Sequence, residues 1–218
     1  MVRQASLRAV LQAVLKQGPV SRAELARITG LSKQTTSEVV RALEQNGWLR
    51  VRGQTQGGIG RSAITYEVDA TNALVLGVDL GGTKIHAVLA NLLGEIVSEG
   101  IEPTDSRGGR FVIEQIGGLT RNLASEAGVP PQAVRLGVMG SPGVLRPETG
   151  IIADAPNIPG LDRLNVIEAL RNRLGFEVLV ENDVNVAAQG ERWQGCCRDV
   201  PTFAFVALGT GIGMVCEW

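Results

Sequence analysis

Histidine occurs once in this sequence of 218 residues, and cysteine three times. Two of the cysteines, Cys196 and Cys197, are adjacent. They make neither a disulfide framework nor a zinc spacing, and a reducing cytoplasm is their natural setting. Aromatic residues are also scarce, at 4% against 44% hydrophobic residues in all. The core therefore has to come from Val, Leu, Ile and Ala. No apolar run approaches the eighteen residues of a membrane span. No apolar signal core opens the chain either. These absences argue against a membrane protein and against a disulfide-stapled secreted one.

Charge is unevenly placed. Residues 1–69 hold ten Lys/Arg and five Asp/Glu, and residues 70–218 hold eleven and seventeen. A basic head on an acidic body predicts that only the head meets a polyanion. Glycine, with 28 residues, is abundant, which points to tight turns or sites lined by backbone.

In the head, Leu7, Val10, Leu11, Val14 and Leu15 recur at helical spacing, and Gly18-Pro19 ends that helix. Ser21 and Glu24 form the S-x-x-E capping box of a short second helix, with Val20 placed to staple onto Leu25. Gly30 supplies a turn and Leu31 packs inward. A further helix from Ser32 buries Val39, Val40 and Leu43 and stops at Gly47. This is a helix-turn-helix pattern. Trp48 to Val51 and Ala63 to Val68 read as a two-stranded wing with Gly57-Gly58-Ile59-Gly60 at its tip.

In such a domain the start of the last helix faces the major groove. Here that is Ser32, Lys33, Gln34, Thr35, Thr36 and Ser37. Gln34 suits adenine, and Lys33 suits guanine or phosphate. Arg41, Arg52 and Arg61 suit phosphates, which orient without specifying. A protein-interaction module with a solvated charged face would share the helix pattern; the basic charge and the wing favour DNA.

The body starts after a short link at residues 70–73. Leu74 to Leu80 predicts an apolar strand, Gly81-Gly82 a turn, and Lys84 to Ala90 a second strand. Glycine backbone, the Thr83 hydroxyl and the Lys84 charge suit phosphate, and Asp79 suits a magnesium ion. A plain hairpin turn explains Gly-Gly equally well, and the Walker spacing is absent. Residues 107–127 predict a helix with Phe111, Val112, Ile116, Leu119 and Leu123 inward, and Val134 to Met139 a strand. The Gly/Pro-dense stretch that follows, residues 140–162, reads as a long functional loop. Leu164 to Leu174 predicts a helix and residues 176–183, FEVLVEND, a buried strand. Val184 to Trp193 predicts another helix, for which Asp183 can serve as N-cap. Thr202 to Leu208 reads as the last strand, ending in the glycine turn of residues 209–213, GTGIG. His86 alternates with Ile85 and Ala87 and reads as a satisfied side chain.

Five segments in order, DLGGTK, SPGVL, APNIPG, VENDVNVAAQGE and GTGIG, resemble the ROK family of repressors and sugar kinases. The resemblance covers residues 74–213. It implies an α/β architecture: a winged helix-turn-helix over residues 1–69, then the N-terminal lobe of an actin- or hexokinase-like sugar-kinase fold over residues 74–218, a mixed sheet with flanking helices. It implies a first phosphate loop at Asp79, Gly81, Gly82, Thr83 and Lys84. A second is implied at Gly209, Thr210, Gly211 and Gly213. Sugar contacts are implied at Gly143, Asn157, Asn182 and Asp183, and Asp183 matches the kinases' general base.

The family's second lobe, with its sugar-binding segment, cysteine cluster for structural zinc and adenosine-binding part, has no counterpart in these residues. The chain therefore reads as truncated after the first lobe. No metal ligands are assigned, and ATP with Mg belongs to a full-length form. The function expected is a sugar-responsive, cytoplasmic DNA-binding repressor of carbohydrate metabolism. Its partners would be an operator duplex, a sugar or sugar-phosphate effector and a second copy of the chain. The alternative is an ATP-dependent, glucokinase-like sugar kinase with an accessory DNA-binding head.

Overall fold

The computed structural model describes residues 2–55, 62–209 and 211–217. The predicted wing tip, Arg61 and Thr210 lie outside them. The chain divides into two compact units, Met1–Ala73 with Asn91–Glu95, and Leu74–Ala90 with Ile96–Trp218.

The first unit packs three helices against a small antiparallel sheet. They are α1 (Val2–Gln17), α2 (Arg22–Thr29) and α3 (Lys33–Gln45). The strands are β1 (Val20–Ser21), β2 (Leu49–Thr55) and β3 (Ala63–Val68), in the order β1-β3-β2. Local chemistry sets the helix starts. Ser21 caps α2: its Oγ accepts from the Glu24 N–H at 3.3 Å, and the Ser21 N–H donates back to Glu24 Oε2 at 3.0 Å. Gly30 adopts φ 71°, the left-handed turn between α2 and α3 that glycine tolerates best. Val10, Leu25, Val40 and Tyr66 are fully buried at the centre of this unit.

Two details differ from the sequence reading. The buried stripe of α1 is Ser6, Val10, Ala13 and Val14, so Leu15 lies on the solvent side at 44% exposure. β1 also adds a third strand to the expected two-stranded wing, through Val20 paired with Tyr66.

The second unit is built on a five-stranded mixed sheet, in the order β10-β7-β4-β5-β6. The strands are β4 (Leu74–Leu80), β5 (Lys84–Asn91), β6 (Ile96–Pro103), β7 (Val134–Ser141) and β10 (Glu177–Asn182). β4, β7 and β10 run parallel, and β6 is antiparallel to β5. Alternation sends Leu76, Val78, Leu80, Ile85, Ala87 and Leu89 into one core with α4 (Gly109–Glu126) and α5 (Val166–Leu174). The core helix positions include Val112, Ile116, Leu119, Leu123, Val166 and Leu170; Phe111 is only half-buried, with the Arg107 guanidinium over its ring.

The stretch after β7 is more regular than a long loop. It folds into a hairpin of β8 (Val144–Arg146) and β9 (Ile151–Ala153), followed by a short 3-10 turn at Leu161–Arg163. Among the described residues β10 is an edge strand paired with β7 alone, and it is buried on one face: Val178 and Val180 lie in the core while Leu179 is 57% exposed. α6 (Asp183–Trp193) packs against β7 and β10 and against a final hairpin, β11 (Phe203–Leu208) with β12 (Ile212–Glu217). The stretch after Gly211 thus continues as a strand, which the sequence reading did not expect.

Candidate functional site

Two sets of predicted residues gather, one in each unit. In the first unit, Ser32 caps α3, with its Oγ accepting from the Thr35 N–H at 3.1 Å. Lys33, Gln34 and Arg41 are exposed on that helix, and Thr35 and Ser37 are half-exposed. Gln34 Nε2 donates to Glu38 Oε1 at 3.1 Å, one turn on.

Thr36 is a correction. It is fully buried, and its hydroxyl donates to the Ser32 carbonyl at 2.9 Å. It shares a face with Val39, Val40 and Leu43, so it supports α3 from beneath instead of offering a group to a duplex. The wing adds a cation that the sequence reading left out. Arg50 Nε lies 2.8 Å from Glu67 Oε1, and Arg52 Nε lies 3.5 Å from Glu67 Oε2. One carboxylate thus holds two exposed arginines side by side. Cross-strand register (Arg50 opposite Glu67) creates the cluster, which is why sequence spacing did not reveal it.

The second set lies at the carboxyl ends of the three parallel strands, where open α/β sheets bind ligands. Asp79 pairs with Gly140 in the β4–β7 ladder, and Glu181 pairs with Gly140 in the β7–β10 ladder. A side chain at Gly140 would sit 3.3 Å from the Asp183 Cα, so glycine there lets the start of α6 close onto β7. Asp79, His86, Gly140, Asp183 and Phe205 line one cavity of about 530 Å³. His86 Nε2 lies 3.3 Å from Glu99 Oε2, so His86 has a partner and also borders the cavity.

The Gly81-Gly82 turn is held from below. The Gly81 N–H donates to the Lys84 carbonyl at 2.9 Å, and the Thr104 N–H donates to the Thr83 carbonyl at 3.1 Å. The Thr104 hydroxyl donates to the Gly81 carbonyl at 2.6 Å. Gly82, Thr83 and Lys84 are exposed beyond these ties. A Cβ on Gly82 would lie 2.6 Å from the Asn157 Cβ, so the bare glycine is what admits Asn157 to the turn. Thr104 is a positioning residue without a sequence signal, since only the sheet brings it beneath Gly81.

Asn182 is the N-cap of α6, and Asp183 is its first residue, which corrects the N-cap reading of Asp183. Asn182 Oδ1 accepts from the Val184 N–H at 3.0 Å, while its Nδ2 donates to the Gly143 carbonyl at 3.0 Å. Gly143 has φ 86°, and a side chain there would collide with the Ala153 carbonyl. Asp183 Oδ1 also accepts from the Val184 N–H, at 2.9 Å. A carboxylate in the first turn of a helix is favoured by the helix dipole.

At the other end of the hairpin, the Gly209 N–H donates to the Gly211 carbonyl at 2.9 Å, closing the β11–β12 turn. A Cβ on Gly213 would come within 2.6 Å of Val184 Cγ2, which brings the base of the second glycine segment to the residue after Asp183. Among the described residues no three His, Cys, Asp or Glu side chains converge as metal ligands. Among them, too, no helix is long and apolar enough to cross a membrane.

Known families match both units. Residues 75–216 match the ROK family, and residues 8–58 match the MarR family. The chain belongs to the ROK family. A putative xylose repressor of Caldicellulosiruptor sp. (strain Rt8B.4) is 30% identical over 217 residues, 98% of this chain and 53% of that protein. A glucokinase of Thermotoga maritima is 34% identical over 140 residues, 64% of this chain and 43% of that one. The crystal structure of a ROK family transcriptional regulator, a homolog of the E. coli MLC protein, superposes with a TM-score of 0.82 at 20% identity, covering 99% of this chain and 55% of that one. That likeness establishes the ROK fold behind a winged helix. The chain spans about half the length of the curated ROK relatives it matches.

Proposed function

We propose that this ROK chain is a sugar-responsive, DNA-binding transcriptional regulator that represses carbohydrate-metabolism genes in the cytoplasm. One observation carries the reading. The xylose repressor relative matches through head and body alike, whereas the glucokinase relative matches only 140 residues. In this proposal residues 1–69 read DNA, residues 70–73 link, and residues 74–218 sense the effector.

Lys33 and Gln34 contact base edges or phosphate from the start of α3, flanked by Ser32, Thr35 and Ser37. Arg41 and Arg52 contact phosphates, and Arg61 belongs to the same group by sequence alone. A homodimer on a two-fold operator places two such helices in successive major grooves. The effector, a sugar or sugar phosphate, takes hydroxyl contacts from Asn157 and Asp183 beside the Gly143–Asn182 tie. It acts only through a difference in affinity between the DNA-binding and released states. The test is a mobility-shift titration on operator DNA with and without candidate sugars over a salt series. Tight binding that weakens with salt and is released by one sugar supports the reading. Binding that no sugar alters would leave only a DNA binder.

A second reading rests on Asp183. Asp183 borders the same cavity as Asp79, as a general base beside a phosphate site does in a sugar kinase. The exposed turn at Gly81, Gly82, Thr83 and Lys84, and the turn at Gly209, Gly211 and Gly213 (with Thr210 by sequence), fit the phosphates of ATP. Asp79 fits Mg at the strand end. When bound, ATP would supply the phosphoryl group; Asp183 would take the proton of the attacking sugar hydroxyl. Sugar-dependent ADP release, measured for this chain and for one extended to its relatives' length, tests the idea. Activity abolished by Asp183→Asn supports a kinase, and no turnover in either chain removes it.

A further inference from the structure

Cys196 and Cys197 follow α6 and take no part in either reading of the strand-end site. Their Sγ atoms lie 3.7 Å apart. Cys196 is exposed and Cys197 half-exposed. The segment that presents them is wrapped onto the end of α6. The Cys196 N–H donates to Glu191 Oε2 at 2.9 Å, and the Cys197 N–H donates to the Glu191 carbonyl at 3.2 Å. The Val200 N–H donates to the Cys197 carbonyl at 3.1 Å. Gly195 permits this wrap, since a side chain there would collide with Glu191. The two thiols are thus held as a pair on an ordered support.

Three fates are open to two such thiols. A disulfide is disfavoured, because consecutive Cα atoms stand about 3.8 Å apart, below the roughly 4.4–6.8 Å that disulfides span. A structural zinc site wants four ligands, and among the described residues not even three suitable side chains converge. A soft centre that needs only two protein sulfurs fits. Bonds of about 2.3 Å, the usual zinc–thiolate length, reach from one atom to both sulfurs across the 3.7 Å gap. Thiolates select soft, thiophilic partners.

We propose that Cys196 and Cys197 form a chelating dithiol site for trivalent arsenicals. The step is a condensation without redox change. An arylarsenic oxide gives up its As=O bond and gains two As–S bonds. The oxygen leaves as water with both thiol protons, and arsenic remains trivalent.

Phenylarsine oxide added to the full chain tests this by intact-mass spectrometry and by maleimide counting of the remaining thiols. The expected product is one adduct per chain, of probe mass less one water, with two of the three cysteines protected. Ethanedithiol should release it, and a monothiol at equal thiol concentration should not. Cys196→Ser and Cys197→Ser should each lose the adduct, and Cys216→Ser should keep it. Cys196 is exposed, so its serine variant keeps the fold and carries the test alone if Cys197→Ser does not fold. An absent adduct, one that survives Cys196→Ser, or one lost with Cys216→Ser would overturn the proposal.

Discussion

Asn182 Nδ2 donates to the Gly143 carbonyl at 3.0 Å, across 39 residues of sequence. The same side chain caps α6 through the Val184 N–H. One amide thus ties the β7–β8 turn to the helix that carries Asp183. Asn182→Ala removes both bonds. Loss of the cap costs about 1 kcal/mol, and the unmet Gly143 carbonyl adds about 1 kcal/mol more. Urea denaturation should show the sum. Asn182→Asp keeps the cap acceptor but sets a carboxylate against the carbonyl, so it should recover only part of the loss.

The burial of Thr36 separates two roles on one helix. Thr36→Val should lower stability by about 1 kcal/mol through the lost bond to Ser32 and leave the salt dependence of DNA binding unchanged. Lys33→Ala should leave stability within about 0.5 kcal/mol. If Lys33 contacts phosphate, the same variant should reduce the slope of log K against log salt by about 1. The opposite pattern would reverse the assignment of the α3 faces.

Gly82 faces Asn157 at a distance no side chain allows. Gly82→Ala should push the turn and Asn157 apart. The expected result is weakened effector or nucleotide binding with DNA binding by the isolated chain intact. Calorimetric titration against sugar and against ATP reads the first, and a mobility shift reads the second. Unchanged binding of both ligands would detach this turn from the site.

Asp105 hydrogen-bonds Arg107, chiefly through the side chain, and its carboxyl is held down at about 2. A depressed carboxylate contributes stability that is complete above the unfolded value and lost as pH falls through the folded one. The contribution of this pair should therefore persist to mildly acidic pH and fade toward pH 2. Carboxyl NMR titration of Asp105 should report the low midpoint, and Arg107→Gln should raise it part of the way, since the residue 107 N–H still donates to Asp105 Oδ1.

The Glu191 carboxylate, hydrogen-bonded to Cys196, pushes that thiol up to about 11. Thiolate is the nucleophile, so Cys196 should alkylate slowly near neutral pH and faster only as pH rises. Glu191→Gln should speed its reaction with iodoacetamide at pH 8, measured by peptide mass spectrometry. An unchanged rate would contradict the role of Glu191.

Much of the first unit was legible in the sequence. The Ser21–Glu24 capping box, the Gly30 turn and the buried Val39, Val40 and Leu43 all follow from local spacing, because capping and helical periodicity act within a few residues. Periodicity misjudged Leu15, whose face depends on how α1 docks; Thr36 was given to the groove by its place at the start of α3, although it lies at i, i+3, i+4, i+7 spacing with Val39, Val40 and Leu43. The glycine and proline segments likewise marked the strand ends of the second unit in order, and hence the family resemblance.

The sequence by itself marked the long helices and strands and which segments carry glycine, carboxylate and amide groups; the short strands β1, β8 and β9 and the final strand β12 were not legible in it. Tertiary structure alone decided which of them meet. Parallel pairing of β4, β7 and β10 brings Asp79, Gly140 and Asp183 together. Among the described residues β10 ends the sheet, with β7 as its one neighbour. Asn182 displaced Asp183 as the cap, and Thr104 came to lie under Gly81. Strand register and helix docking join residues far apart in sequence, so these partners follow from the packed fold and not from local spacing; the Asn182 cap is itself local to Val184, and its long-range part is the tie to the Gly143 carbonyl.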